Sequence, residues 1–321
     1  MKYGVIGLGS IGTRHAVNLA ALGKEVFGYD PEAQKKDWAS AHGIELAESR
    51  EALFSSVDAL IIASPNAAHF GDLKEAVAAG CHIFAEKPLA AQNSGVEEVL
   101  YQASIAGQKI FAGLNLRFHP AVKAAKRILE EGKIGQPVWA IFQSSHYLPD
   151  WRPHQDYRLG YTSNRQTGGV LFDIIHEFDL ANYFLGPAST VSAIAGNSGK
   201  LNIESEDCAD IVLQHQDGQR SVLHLDYITR PTKRRAEIGG PDGVLHIDLV
   251  GRTCSAQEAS GNVVADEDFK QINPDKDYIE EMRAFVACVE QGEAPICDGF
   301  EAFDVLQQVI AARKMAGLPS V

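Results

Sequence analysis

The chain has 321 residues, of which 45% are hydrophobic and 22% charged, and a formal net charge of -13. That composition is of an ordinary globular protein, long enough for two domains and for a core that needs no disulfides. The acidic balance excludes nucleic acid as the main partner, because phosphate backbones are bound by basic surfaces.

Five scattered cysteines (Cys81, Cys208, Cys254, Cys288 and Cys297) lack metal-ligand spacing. They predict reduced thiols in a cytoplasmic protein and no metal site. No apolar run is long enough to span a membrane, and a strand beginning at Lys2 leaves no room expected for a signal peptide.

Strand and helix alternate through the first third. Lys2 to Ile6 reads as a strand, Ile11 to Leu22 as a helix stopped by Gly23, Glu25 to Asp30 as a strand and Glu32 to His42 as a helix. A short segment at Ile44-Glu45-Leu46 and a helix from Arg50 follow. Ala59 to Ala63 is an uninterrupted apolar run, as expected of a parallel strand covered on both faces. A helix over Ala67 to Ala79, a strand from Cys81, a helix over Ser94 to Ala106 and a strand over Lys109 to Gly113 complete a doubly wound parallel sheet.

The pattern changes near Pro120, which sets expected domains of 1–119 and 120–321. A helix over Ala121 to Glu131, a strand over Val138 to Ser145 and a helix over Leu171 to Leu185 lead into consecutive strands. These cover Val191-Ala195, Ala209-His215, Ser221-Ile228, Arg235-Gly239 and Val244-Asp248, a mostly antiparallel sheet. Helices over Tyr278 to Gln291 and Phe300 to Ala316 close the chain, the last expected to pack back on the first domain. The fold class is α/β followed by α+β.

Gly7-Leu8-Gly9-Ser10-Ile11-Gly12 joins the first strand to the first helix. In a dinucleotide loop the first glycine makes the turn, the second admits the pyrophosphate and the third lets helix pack on strand. Free N–H groups at Ser10 and Ile11 would face the phosphates. Asp30 ends the second strand, where a carboxylate accepts the adenosine-ribose hydroxyls and repels a 2′-phosphate. NAD is therefore expected, with NADP not excluded because Lys35 and Lys36 are near. Ser64, Asn66 and His69 follow the fourth strand at the switch edge and are expected to meet the ribose and nicotinamide. His69 is equally well read as a helix cap.

Glu86-Lys87-Pro88 puts an amine at the carboxyl end of a strand in the same sheet, where open α/β sheets bind ligands. Oxidising a secondary alcohol needs a base and a cation for the developing alkoxide. Lys87 suits the second task and shares the first, with Glu86 to orient it and a cis Lys-Pro bond to fix its direction. A partly desolvated lysine beside a cationic ring has a lowered pKa. Downstream, Gly168 to Asp179 places Asp173 and His176 at i,i+3 on one predicted helix, on a face shared with Glu177. His176 reads as proton acceptor, and Asp173 as the group that sets its tautomer or binds substrate. A core histidine with a surface acid is the alternative.

Taken together, the glycine loop, Pro65-Asn66 with His69, Ala79-Gly80, Glu86-Lys87-Pro88, Asn115 with Arg117-Phe118 and Pro120, and Gly168 to Asp179 match one pattern. The chain resembles the glucose-fructose oxidoreductase / inositol dehydrogenase / rhizopine catabolism (Gfo/Idh/MocA) family over nearly its whole length. The resemblance implies an N-terminal Rossmann domain and a C-terminal domain with an open sheet used for oligomerisation, as a homodimer or homotetramer. It implies Lys87 and His176 as the catalytic pair. It also places Glu86 and Asn115 on the cofactor side and Arg117 on the substrate side. Many members carry the helical acid four residues before the histidine; here Phe172 stands there, and Asp173 is three before.

The run Trp151 to Tyr161 is dense in aromatics and arginines. With Asp173, His176 and Lys87, its Arg152, Tyr157, Arg158 and Tyr161 are expected to bind substrate. Aromatic faces suit a polyhydroxylated ring, and Arg152, Arg158 and Arg165 suit a carboxylate or phosphate. A structural crossing loop is the alternative. The expected activity is NAD-dependent oxidation of a sugar or sugar derivative. An NAD-dependent glycosidase working by oxidation, elimination and reduction competes with it, as does a non-catalytic dinucleotide sensor.

Overall fold

The structure, a computed structural model, describes residues 1–31, 36–151 and 153–319. In chain order the first elements are β1 (Lys2–Ile6), α1 (Ser10–Ala21), β2 (Glu25–Tyr29), α2 (Lys36–Ala41), β3 (Glu45–Leu46), α3 (Arg50–Ser56), β4 (Ala59–Ile62), α4 (His69–Ala78), β5 (His82–Glu86), α5 (Val96–Ile105) and β6 (Ile110–Gly113). There follow α6 (Pro120–Glu130), β7 (Trp139–Ser145), α7 (Leu148–Trp151), α8 (Val170–Asp173), α9 (His176–Leu185), β8 (Ala188–Gly196), β9 (Cys208–His215) and β10 (Arg220–Asp226). The chain continues with β11 (Lys233–Gly240), β12 (Gly243–Asp248), β13 (Thr253–Glu258), β14 (Val263–Asp268), α10 (Asp275–Gln291) and α11 (Gly299–Met315). It divides into two compact units: 1–115 with 275–303, and 116–274 with 304–321.

The first unit is a six-stranded parallel sheet in the order β3-β2-β1-β4-β5-β6. Every residue of β4 is buried, which is why its sequence is apolar without alternation. Strand order reverses between β1 and β4, so ligand-facing loops gather at the carboxyl ends of β1, β4 and β5. The α10 helix belongs to this unit. Its Phe285 ring meets Phe84 at 5.5 Å and Phe111 at 5.9 Å, and its Glu290 accepts from Tyr3 Oη at 2.8 Å.

The second unit is built on an eight-stranded sheet in the order β14-β13-β12-β11-β7-β10-β9-β8. Only β7 and β10 pair in parallel; the other neighbours are antiparallel. Ser221, Leu223 and Leu225 of β10 face the core, whereas Arg220, Val222 and His224 face outward. Strands β13 and β14 escape the sequence reading. Cys254 and Ala256 are buried between polar neighbours, and the edge strand β14 carries Asp266, Glu267 and Asp268, charges that blunt a sheet edge.

The predicted helix from Leu171 to Leu185 is two helices. The chain leaves helical geometry at Ile174, with φ -99° and ψ 34°, and resumes at His176. Asp173 thus ends one helix and His176 begins the next, so the simple i,i+3 relation between them does not hold.

Candidate active site

In the first unit the three glycines divide their labour. Gly7 has φ +86°, and a Cβ there would lie 2.6 Å from the Ala63 carbonyl oxygen. A Cβ on Gly12 would lie 1.8 Å from the Gly7 carbonyl oxygen, so only glycine lets α1 sit this close to β1. A Cβ on Gly9 would meet nothing within 4 Å, which leaves that stretch of backbone open to approach. The helix then starts at Ser10 with no side-chain cap and no acid in its first turn. Its first N–H groups, Ser10 and Ile11 included, and its positive dipole end suit a diphosphate. Asp30 stands just past β2, and its Oδ2 accepts the Leu8 N–H at 2.7 Å, fixing the carboxylate beside the loop. These residues fit a dinucleotide.

After β4, the Ser64 hydroxyl donates to Asp72, which is also paired with Arg50. Asn66 is half-buried, and its carbonyl accepts the His69 N–H at 3.3 Å. His69, expected on the cofactor side or as a helix cap, has both ring nitrogens on backbone oxygens. It is 1% exposed, with its ring nitrogens 2.7 Å from Pro88 O and 2.8 Å from Ser64 O. It ties the turn after β4 to the turn after β5. Asn115 is half-buried just beyond β6.

Glu86 is also tied down within its unit. Its carboxylate is buried, Oε1 lying 2.6 Å from His15 Nε2 and Oε2 accepting the Lys87 amide N–H at 3.1 Å. Both oxygens thus have partners in its own unit, which orients the strand end. Lys87 is half-buried, and the peptide bond to Pro88 is cis.

In the second unit, Asp173 Oδ1 accepts from Tyr161 Oη at 2.9 Å and Oδ2 from Tyr227 Oη at 3.1 Å. Tyr227 is wholly buried, and burial, with Asp173 beside it, pushes its phenol far above the ordinary range, so it remains a donor. His176 is buried at the start of α9. Glu177 does not share the proposed chemistry: Arg234 grips it with two bonds of 2.7 and 3.0 Å.

Three of the residues expected to bind substrate have partners within their own unit. Arg117 is 4% exposed and donates to Asp179 at 2.7 and 3.0 Å, with its guanidinium 4.9 Å from the Tyr183 ring centre. Tyr157 donates to the Leu201 carbonyl at 2.9 Å, and Arg158 folds back on Asp156 at 2.7 and 2.8 Å. Each is engaged by its own unit. Arg152, like Lys35, lies outside the described residues. Tyr161 of that run donates to Asp173, and the Trp151 ring lies 5.5 Å from that of Tyr227.

Tyr227 and His146 were not read from the sequence. His146 follows β7, with Trp151 edge-on at 5.2 Å and Ser144 Oγ 3.0 Å away. Burial first, then Arg234, pushes its imidazole down to about 4, and Asp173 is among its charged neighbours. The available signal was a histidine just beyond a strand, ahead of the aromatic run. Among the described residues one group could hold a metal, Cys208, Asp210 and His224. Both His224 nitrogens already face carboxylates, Asp210 at 2.7 Å and Asp226 at 3.2 Å.

Comparison with known proteins follows the same division. Residues 1–114 match the oxidoreductase family model with an NAD-binding Rossmann fold, and residues 122–246 match the GFO/IDH/MocA C-terminal domain. The chain is 31% identical to the uncharacterized oxidoreductase YrbE of Bacillus subtilis, covering 92% of this chain and 88% of that protein. It is 28% identical to myo-inositol 2-dehydrogenase of Thermotoga maritima, over 98% and 96% of the two chains. In fold it matches a levoglucosan dehydrogenase solved with NADH, at a TM-score of 0.88 and 19% identity over the whole of both chains. With both domain models matched in order, the chain belongs to the GFO/IDH/MocA family of NAD(P)-dependent oxidoreductases acting on CH–OH groups, and its first unit is the NAD-binding Rossmann domain.

Proposed function

We propose that the protein is an NAD-dependent dehydrogenase that oxidises a secondary alcohol of a sugar, polyol or sugar derivative. The observation that carries the reading is Lys87 at the carboxyl end of β5, on the sheet edge that also holds the Gly7–Gly12 loop and the Ser64 turn. NAD, when bound, supplies the hydride acceptor. Gly9, Ser10, Ile11 and Asp30 would hold its diphosphate and ribose, with Asn66 and Asn115 on the same edge.

The chain's own residues handle the proton. Lys87 stabilises negative charge growing on the hydroxyl oxygen, and His176 accepts the proton. Asp173, gripped by Tyr161 and Tyr227, is a fixed acceptor for a second substrate hydroxyl. Two phenols hold the carboxylate, which supports this role despite the shift of Asp173 relative to the family pattern.

Mixing the enzyme with NAD and a panel of neutral, acidic and nucleotide-linked sugars tests the reading through NADH absorbance. No signal across the panel would reject it. Aglycone release without net NADH would favour the glycosidase cycle instead.

We also propose self-association through the outer face of the eight-stranded sheet. Ile141 and Val222 sit side by side there, 47% and 41% exposed, and Ile194 is 75% exposed. An apolar group at that density marks an interaction face. Light scattering of Ile141→Asp/Val222→Asp against wild type tests it, and an unchanged mass would reject it.

A further inference from the structure

Behind Lys87 lies a set of buried polar groups that the proposed chemistry leaves unused. Glu281, on α10, is 0% exposed, and neither of its carboxyl oxygens has a hydrogen-bond partner among the described residues. The α10 helix packs on α1 within the first unit. On α1, His15 is 0% exposed and keeps one ring nitrogen, Nδ1, without a partner among the described residues; Asn18 Nδ2, one turn on, is in the same state. The other nitrogen of His15 lies 2.6 Å from Glu86. Tyr278, at i,i+3 from Glu281 on α10, has its ring 6.4 Å from that of His15. His15 Nδ1 and Asn18 Nδ2 on α1 and the Glu281 carboxyl on α10 are therefore buried polar groups on two helices packed together within one unit.

Physical chemistry decides the charge of Glu281. An ionised carboxylate with no hydrogen bond, removed from water, costs several kcal/mol, so the group takes up a proton. The Glu86 carboxylate, its charged neighbour, adds repulsion in the same direction. Arg14 does not neutralise it: that guanidinium stacks on the Tyr278 ring at 4.4 Å and reaches Asp275 at 3.9 Å.

We propose that His15, Glu86 and Glu281 form a buried proton-holding cluster behind Lys87, with Glu281 as the protonated acid and a positioning residue for Lys87. Glu86 spends one oxygen on His15 and the other on the Lys87 amide. A neutral Glu281 sets no second charge against Glu86, so the carboxylate keeps its grip on the lysine's backbone. An ionised Glu281 would repel the Glu86 carboxylate and weaken that grip. The positioning half rests on the role proposed for Lys87; the protonation half rests on burial and partners alone.

The test uses the full-length chain and two variants. Glu281→Gln keeps the shape of the neutral acid, and Glu281→Leu removes its polarity. Infrared difference spectra at neutral pH are expected to show a protonated carboxyl band in wild type that is missing from Glu281→Gln. In urea titrations the folding constant of wild type should fall relative to Glu281→Gln as pH rises above the ordinary glutamate value, by up to about tenfold per pH unit, because only the unfolded chain then releases the proton. Absence of the band, or pH curves that run parallel, overturns the protonated state whatever the enzyme's activity. With an oxidisable substrate, kcat of Glu281→Gln should stay within about twofold of wild type, whereas Glu281→Leu should lose about tenfold and shift the pH profile, with NADH affinity unchanged. A Leu variant with the wild-type pH profile overturns the positioning role and leaves the proposed dehydrogenase activity standing.

Discussion

The Tyr227 phenol, wholly buried, donates across 3.1 Å to the Asp173 carboxylate, on the oxygen opposite the one held by Tyr161. A carboxylate held at both oxygens cannot rotate, so its position is set by residues 12 and 54 positions away in sequence. Tyr227→Phe removes one holder without changing shape. It should cost about 1–3 kcal/mol of stability in urea titrations. It should also lower kcat by roughly ten- to hundredfold, because misplaced catalytic geometry is expensive. An unchanged kcat would show that Asp173 needs no such hold.

Lys87→Met tests the proposed centre directly. Turnover should fall by roughly 10²–10⁴-fold, as for loss of a group that meets developing charge. NADH binding, followed by fluorescence, should be retained, since the loop and Asp30 are untouched. Loss of both together would make the lysine structural.

Asp30→Ala should weaken NAD binding by roughly 10–100-fold, the worth of one or two hydrogen bonds to a charged group. NADP should be affected less, since the repulsion of its 2′-phosphate goes too. The measurement is the ratio of the two dissociation constants, which cancels any general loosening of the loop at Leu8.

Arg117→Met should take from Asp179, 0% exposed, the guanidinium that grips its buried charge, and destabilise the protein by about 3–5 kcal/mol. Replacing both partners by apolar residues, Arg117→Met/Asp179→Leu, should restore most of that. Because the pair is structural, the folded double variant should keep its substrate KM. A large rise in KM would return Arg117 to the substrate side.

Acid should destabilise the protein through His119. Burial first, then Arg252, pushes its imidazole down to about 4 from the ordinary 6.5. Its Nδ1 accepts the Ala121 N–H at 3.2 Å and so caps α6 in the neutral form. Below pH 6.5 the unfolded chain takes up a proton that the folded chain refuses, so stability is lost as pH falls from 6.5 to about 4. The loss should total about 3 kcal/mol. His119→Asn keeps a capping side chain and should flatten that part of the stability curve.

Periodic signals were legible and long-range ones were not. The apolar run of β4 and the alternation of β10 follow from burial on two faces and on one, so the strands could be read locally. Strands β13 and β14 could not, since their acids and serines are tolerated only because they form one end of the sheet. The helix break at Ile174 has no proline or glycine to announce it. Arg117, Tyr157 and Arg158 carry the right chemistry for a ligand, and their partners Asp179, Leu201 and Asp156 could not be read from the pattern.

By itself the sequence determined the glycine loop, the acid at Asp30 and the amine at Lys87, because turn geometry and strand ends are properties of short segments. Tertiary structure decided which polar groups remain available for chemistry. Glu86 turned inward to His15, His69 became a strap between two turns, and Asp173 was given two tyrosines. Those outcomes depend on desolvation and on partners brought together from distant segments, which no local pattern records.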